Sequence, residues 1–328
     1  MRGTWIRIGV AGVLLLGAFI VAVVVLNATV YSPSGFVRGY LDALVRKDVK
    51  AALAIAGPTP SSSALDDFLS PDIMADLSDI EVTEQSGTAG LATGHHIVHV
   101  AFTADGRRGS IDFEVEDAGR ILGAFQAWSF TTPPIVQVDL TVLHSRQFSA
   151  NGVDKVAPVT DGSASYLAFA PGAITFASDT EYTAAAAQTV VLDDPGRRSD
   201  VQLIAEANDA LTQLVAAQAT QYLDDCATQT VLFPVGCPFG QDIADRIAPD
   251  TAPQWTIAQY PQIIVTPTTT LGQWQVQTTP GVAHLTASVQ SIYDGSIAPF
   301  SADVGFQVGY IATFVGADDL VLTPQGVG

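Results

Sequence analysis

The chain has 328 residues, with 14 basic side chains against 33 acidic ones and a formal net charge of −19. Every acidic residue lies beyond Arg7, and only Lys47, Lys50 and Lys155 are lysines. Phosphate contacts need clustered Lys and Arg, so nucleic acid is excluded as a partner, and an anionic lipid surface would repel the acidic bulk. Negative charge on this scale otherwise keeps an exported domain soluble.

The first predicted element is an anchor. Arg2 and Arg7 precede a run, Ile8 to Leu26, that is wholly apolar or Gly. At the rise of an α-helix it spans about 28 Å, matching a hydrocarbon core of about 30 Å. Lipid cannot satisfy backbone polar groups, so the run must be helical. The expectation is a transmembrane helix over residues 8–30 behind a cytoplasmic tail of residues 1–7. A cleaved signal peptide is the competing reading, but its apolar region is shorter, and the best cleavage site, Leu26-Asn27-Ala28, opens on a poor residue. Both readings export the bulk of the chain. Arg2 and Arg7 place the N-terminus in the cytoplasm by the charge bias of membrane insertion. Arg38, Arg46, Lys47 and Lys50 pull the other way, and Asp42, Asp48 and folding of that segment blunt them.

Ser32-Pro33 has the form of a helix start, an N-cap followed by proline at the first helical position. Phe36/Val37, Tyr40/Leu41 and Leu44/Val45 continue it at helical spacing. Asp48 caps a second helix, Val49 to Ala56, which Gly57-Pro58 stops. Leu65 to Leu77 reads as a further helix broken at Ser70-Pro71. The period then becomes two. Val98, Val100 and Phe102 alternate with His99 and Ala101. After the Asp105-Gly106 turn, Ile111, Phe113 and Val115 alternate with Asp112, Glu114 and Glu116, as in a half-buried antiparallel strand. Asp117-Ala118-Gly119 is read as the next turn, leading into Ile121 to Phe130.

This order, opening on PSGFVRGYLDALVRKDVKAALAIAG, resembles the nuclear-transport-factor-two-like (cystatin-like) cone over roughly Pro33 to Thr132. The resemblance implies a helical segment packed in the curve of a bent antiparallel sheet, in a single-pass bacterial envelope protein. It implies no activity, because that family holds enzymes, binding modules and structural domains alike.

Thr131-Thr132-Pro133-Pro134 marks a boundary. Residues 133–195 carry strand-like runs with turns at Asn151-Gly152, Asp161-Gly162 and Pro171-Gly172, read as a small all-β module. Ser199 with Gln202 fits a capping box, so a long helix is expected from Ser199 to about Asp225, and a short one near Gln241 to Ile247. Strands follow around Trp255 to Val265, Trp274 to Gln277, Val282 to Tyr293 and Ala302 to Phe314, with Asp294-Gly295 as a hairpin turn. The fold class is therefore α+β: a transmembrane helix, a cone-like domain over 32–132, the all-β module over 133–195, and a second helix-plus-antiparallel-sheet domain over 199–328.

Cys226 and Cys237, the only cysteines, are read as a disulfide, since an even pair in an exported chain most simply forms one. Two buried thiols are the alternative. The spacing is not that of a redox pair, and zinc would lack its other ligands nearby.

Candidate chemistry is sparse. His95 and His99 share a strand face and, with a carboxylate, could hold a metal; with His96 they are read instead as the polar start of a strand, and no metal site is assigned. Asp112, Glu114 and Glu116 form an acidic row, read as a solvated face. His144 and His284 are isolated and read as structural. No nucleophile elbow, Ser-x-x-Lys pair or phosphate-cradling glycine loop is present. Trp255, Trp274, Tyr260 and Tyr293 are read as sheet core rather than a binding strip. The sequence thus points to a membrane-anchored, extracytoplasmic, non-enzymatic binding or scaffolding protein of the plasma membrane. Its expected partners are the bilayer and an envelope protein or glycan; no cofactor is expected, and the catalytic and ligand-binding residues stay unassigned. A hydrolase using carboxylates in a cone pocket, or a structural subunit of a membrane complex, are the alternatives.

Overall fold

The computed structural model describes residues 2–58, 63–84, 94–158, 163–315 and 319–325, with side chains described from residue 14 onward. The Asp161-Gly162 turn lies outside these residues, as does most of the Gly-rich stretch Ser86 to Gly94, read from sequence as a loop before the histidines. The chain forms two units, Met1–Thr141 with Phe148–Ala177 and Ala187–Leu203, and Val142–Gln147 with Ser178–Ala186 and Ile204–Gly328. Both are mixed α and β, and every ladder between named strands is antiparallel among the described pairings.

The first unit opens with α1 (Arg2–Ala28), α2 (Pro33–Val45) and α3 (Val49–Ala56). Among the described residues no single helix is long and apolar enough to cross a membrane. The described side chains of α1 cover Leu14–Ala28, a stretch shorter than the roughly 20 residues a crossing takes. α2 turns away from α1 by 64° and is no continuation of it, because Val37, Tyr40, Leu41 and Leu44 are buried in the core. The caps are those the sequence announces. Ser32 accepts from the Gly35 amide and Asp48 from the Ala51 amide. Gly35 is needed for the bend: a Cβ there would come within 2.3 Å of the Thr29 carbonyl oxygen and 2.5 Å of that of Val30.

Residues 65–76 are not helical, against the expectation. Leu65 bridges Tyr166, while Phe68 and Ile73 are buried by turns. The sheet β1 (Leu77–Glu84), β2 (His95–Ala104), β3 (Arg107–Ile121), β4 (Phe125–Phe130) follows in sequence order. Asp105-Gly106 is its hairpin turn, both residues at positive φ. Asp117-Ala118-Gly119, expected as a turn, lies instead within β3 as a register shift, and the chain reverses at Leu122-Gly123. α2 closes the sheet through aromatic rings: Tyr40 meets Phe113 at 6.2 Å and Phe130 at 5.3 Å, and Phe36 meets Phe130 at 4.9 Å.

The following strands are β5 (Ile135–Leu143), β6 (Gln147–Ala150), β7 (Val153–Val156), β8 (Ser163–Phe169), β9 (Gly172–Asp179), β10 (Thr183–Leu192) and β11 (Arg198–Ile204). They form a β11-β5-β8 sheet and a second sheet through β10-β9-β6-β7. Tyr40 reaches this module too. Its hydroxyl, fully buried, donates toward the carbonyls of Pro134 at 3.1 Å and Ala170 at 2.8 Å.

Residues 198–204, expected to begin the long helix, are β11. Val201 and Leu203 are buried alternately with exposed neighbours, a period of two that overrides the capping-box pattern. In the second unit, β12 (Glu206–Ala207) pairs with the start of β10. α4 (Asp209–Ala227) then begins behind the Asn208 cap, whose side chain accepts from the Leu211 amide. Leu211, Val215, Ala219 and Leu223, one turn apart, bury one face of α4. The short helix expected near 241–247 is absent; only β13 (Arg246–Ile247) forms there. The sheets are β13-β17-β14 with β18 on β17, and β15-β16-β19-β20. Their strands are β14 (Gln254–Gln259), β15 (Ile263–Pro267), β16 (Gln273–Thr278), β17 (Gly281–Gln290), β18 (Ile297–Phe306), β19 (Gly309–Phe314) and β20 (Leu320–Gln325). Trp255, Trp274, Val276, Leu285 and Tyr310 join the α4 face in one core.

Two buried tyrosines make opposite predictions. Tyr40→Phe removes a donor from two carbonyls and should cost about 1–3 kcal/mol. Among the described residues the Tyr310 hydroxyl is the buried side-chain group without a partner, so Tyr310→Phe should be neutral or stabilising by up to about 1 kcal/mol. Denaturant midpoints at constant m-value check both.

Candidate functional site

The His and acid rows predicted from sequence meet on the outer face of the β2–β3 hairpin. Register sets His95 opposite Glu116 and His99 opposite Asp112. His95 Nδ1 lies 3.0 Å from Glu114 Oε1 and its Nε2 3.8 Å from Glu116 Oε2. His99 Nδ1 lies 2.6 Å from Asp112 Oδ1. His96 points to the other face, 3.2 Å from Glu84 and edge-on to Trp128 at 5.0 Å. Among the described residues no three His, Cys, Asp or Glu side chains form a metal-holding group. The second unit carries the same cross-strand arrangement on its own hairpin. His284 faces Asp303 in the β17–β18 register, with Nδ1 2.6 Å from the carboxylate.

A cleft in the second unit was not legible from sequence. The β5–β6 turn gives it His144 and Arg146, the β9–β10 turn Glu181 and Tyr182, and Trp274 and Phe314 complete the wall. The β9–β10 turn is held from Asn208. Asn208 Nδ2 donates to the carbonyls of Thr180 and Glu181, at 3.3 and 2.9 Å, and its amide donates to the Tyr182 carbonyl. The Tyr182 and Phe314 rings lie 5.1 Å apart. His144 has a left-handed backbone, φ 64°. Ser145, beside it, has its hydroxyl engaged by the Gln147 amide and carbonyl, which leaves it poorly disposed as a nucleophile. The cleft is lined by a cation, an acid and aromatic surface.

The loop after α4 is the other distinctive surface. Cys226 and Cys237 are disulfide-bonded, with Cα atoms 5.8 Å apart. Gln229 holds the loop through both amide atoms, donating to the Val235 carbonyl and accepting from its amide. The Trp255 indole donates to the Val231 carbonyl at 2.8 Å, and the Tyr222 hydroxyl to the Gly236 carbonyl. The loop so fixed leaves Phe233 60% and Val235 84% exposed, with Val231 beside them. Of the four aromatics expected in the sheet core, Trp255 and Trp274 are there, whereas Tyr260 is exposed and donates to Asp224, and Tyr293 is fully out on a turn.

Comparison with known protein families, characterised proteins and solved structures returns no match.

Replacing both cysteines by serine removes the closure of a short loop and should lower stability by about 3 kcal/mol. Chemical denaturation of oxidised, reduced and doubly substituted protein checks this. The reduced and substituted forms should agree with each other and fall below the oxidised form.

Proposed function

We propose that this chain is a membrane-anchored binding or scaffolding protein whose two units work outside the cytoplasm. The observation that carries the reading is α1. Leu14, Leu15, Leu16, Phe19, Ile20, Val21, Val24 and Val25 are all more than half exposed, and at 100° per residue they cover every side of the helix. A helix apolar all round belongs in lipid or in a protein core, and among the described residues this one has no core around it. With the apolar sequence continuing back to Ile8, the run reaches bilayer thickness. The disulfide supports an oxidising compartment for the second unit.

The cone-like reading of the first unit is part of the proposal, supported by two capped helices preceding a four-stranded antiparallel sheet. Binding is favoured over hydrolysis because Asp112, Glu114 and Glu116 stand on an outer strand face, with histidines as their ion-pair partners. The clamped Val231–Val235 loop and the cleft beside Tyr182 are the surfaces through which a protein or glycan partner would be held.

The test is a pull-down of the detergent-solubilised full chain, of the chain from Ser32 onward, and of the full chain carrying Phe233→Glu. The proposal expects both unsubstituted forms to retain a protein or glycan partner and Phe233→Glu to lose most of it. Retention by the full chain alone assigns the contact to α1 and favours a structural subunit of a membrane complex. Retention by none counts against a binding role.

A further inference from the structure

The β3–β4 hairpin tip is built against the end of α1 and ends in an exposed leucine. Asn27, the first polar residue after the apolar run, grips the hairpin backbone with both side-chain atoms. Its Nδ2 donates to the Ala124 carbonyl at 3.0 Å, and its Oδ1 accepts from the Gln126 amide at 2.9 Å. Tyr31 stacks on Phe125 at 4.5 Å, and the Trp128 indole donates to the Tyr31 carbonyl at 2.8 Å. The turn itself is Leu122-Gly123, with φ 51° and 71° and the Ala124 amide donating to the Ile121 carbonyl. A two-residue turn with both central φ positive calls for Asn, Asp or Gly, and a bulky leucine is strained there. Folding gives no return for that choice: Leu122 is 91% exposed, and Ile121 beside it is about half exposed.

We infer that this tip is a second membrane contact: Ile121 and Leu122 insert into the boundary between headgroups and acyl chains of the leaflet from which α1 emerges. The inference rests on the reading of α1 as an anchor. If the apolar run lies in hydrocarbon, Asn27 sits at its edge. The tip is then fixed at that edge, since Leu122 is two residues from the gripped Ala124 and an extended chain spans only about 3.5 Å per residue. Tyr31, Phe125 and Trp128 at the same level form the aromatic group that favours a membrane–water interface. Arg120, exposed next to the tip, can keep its charge among headgroups while its stem lies along them. An apolar tip joined to the apolar helix by this grip therefore shares the helix's solvent. The consequence is mechanical: two contacts with the bilayer, where a single helix followed by a loose linker would let the first unit swing.

Spin labels on the full chain in phosphatidylcholine vesicles test this, because the native cysteines are disulfide-bonded and take no label. Labels are attached through Val24→Cys in α1, Leu122→Cys at the tip and Val156→Cys on the exposed side of β7. Collision rates with oxygen, which concentrates in lipid, and with a nickel chelate, which stays in water, are compared. The expected oxygen-to-nickel ratio is highest at position 24, several-fold above position 156 at position 122, and lowest at 156. Adding Asn27→Ala should bring the ratio at 122 down toward that at 156. A ratio at 122 equal to that at 156, with 24 still in lipid, overturns the second contact and leaves the anchor standing. A water-like ratio at 24 as well overturns the anchor and this inference with it.

Discussion

The first unit is assembled round one side chain, Tyr40. Its position on α2 follows from the helical spacing of Phe36, Val37, Tyr40, Leu41 and Leu44, which turns one face of the helix inward. Its ring meets Phe113 and Phe130 of the sheet. Burial of a hydroxyl is costly without a partner, and here it has two: the carbonyls of Pro134, at the start of β5, and of Ala170, at the end of β8. Burial also pushes the phenol well above its ordinary pKa, so it remains a donor. Helix, sheet and all-β strands are thereby joined through a single buried group. Among the described residues, Tyr310 in the second unit has no such arrangement, and its hydroxyl lies unpartnered in an otherwise apolar core.

The candidate binding surfaces grow out of local constraints of the same kind. Ser32, Pro33 and Gly35 bend the chain between α1 and α2, and Asn27 fixes that junction to the β3–β4 hairpin. Thus the apolar helix is held by the folded unit itself. In the second unit Asn208 both caps α4 and holds the β9–β10 turn that walls the cleft. The disulfide at the other end of α4 fixes the loop that exposes Phe233 and Val235. The two ends of one helix therefore organise the two candidate binding surfaces.

Much of this was legible in the sequence where a local rule had no competitor. Ser32 and Asp48 cap helices as read, the alternation in 98–102 and 111–115 gives β2 and β3, and Asp105-Gly106 turns between them. The misreadings have physical causes. Ser199 and Gln202 imitate a capping box, yet Val201 and Leu203 alternate into a sheet, and the true cap is Asn208. Asp117-Ala118-Gly119 has turn composition but is absorbed as an irregularity in a long strand, while the real turn has a leucine where no turn rule places one. Residues 65–76 bury Phe68 and Ile73 without a helix because the chain there pairs with β8 at Tyr166. The cleft joins residues from four separate stretches of the chain, and no local pattern could have revealed it.

The proposed role depends on α1 being a retained anchor with the rest of the chain outside the cytoplasm. The direct measurement is to express the full chain in cells, wash membranes with alkaline carbonate, and treat intact cells with an added protease. An anchored chain, still carrying α1, should stay in the membrane pellet, and the protease should remove nearly everything beyond Tyr31. Release of the chain into the supernatant, loss of the first 28 residues, or full protection from external protease would contradict it.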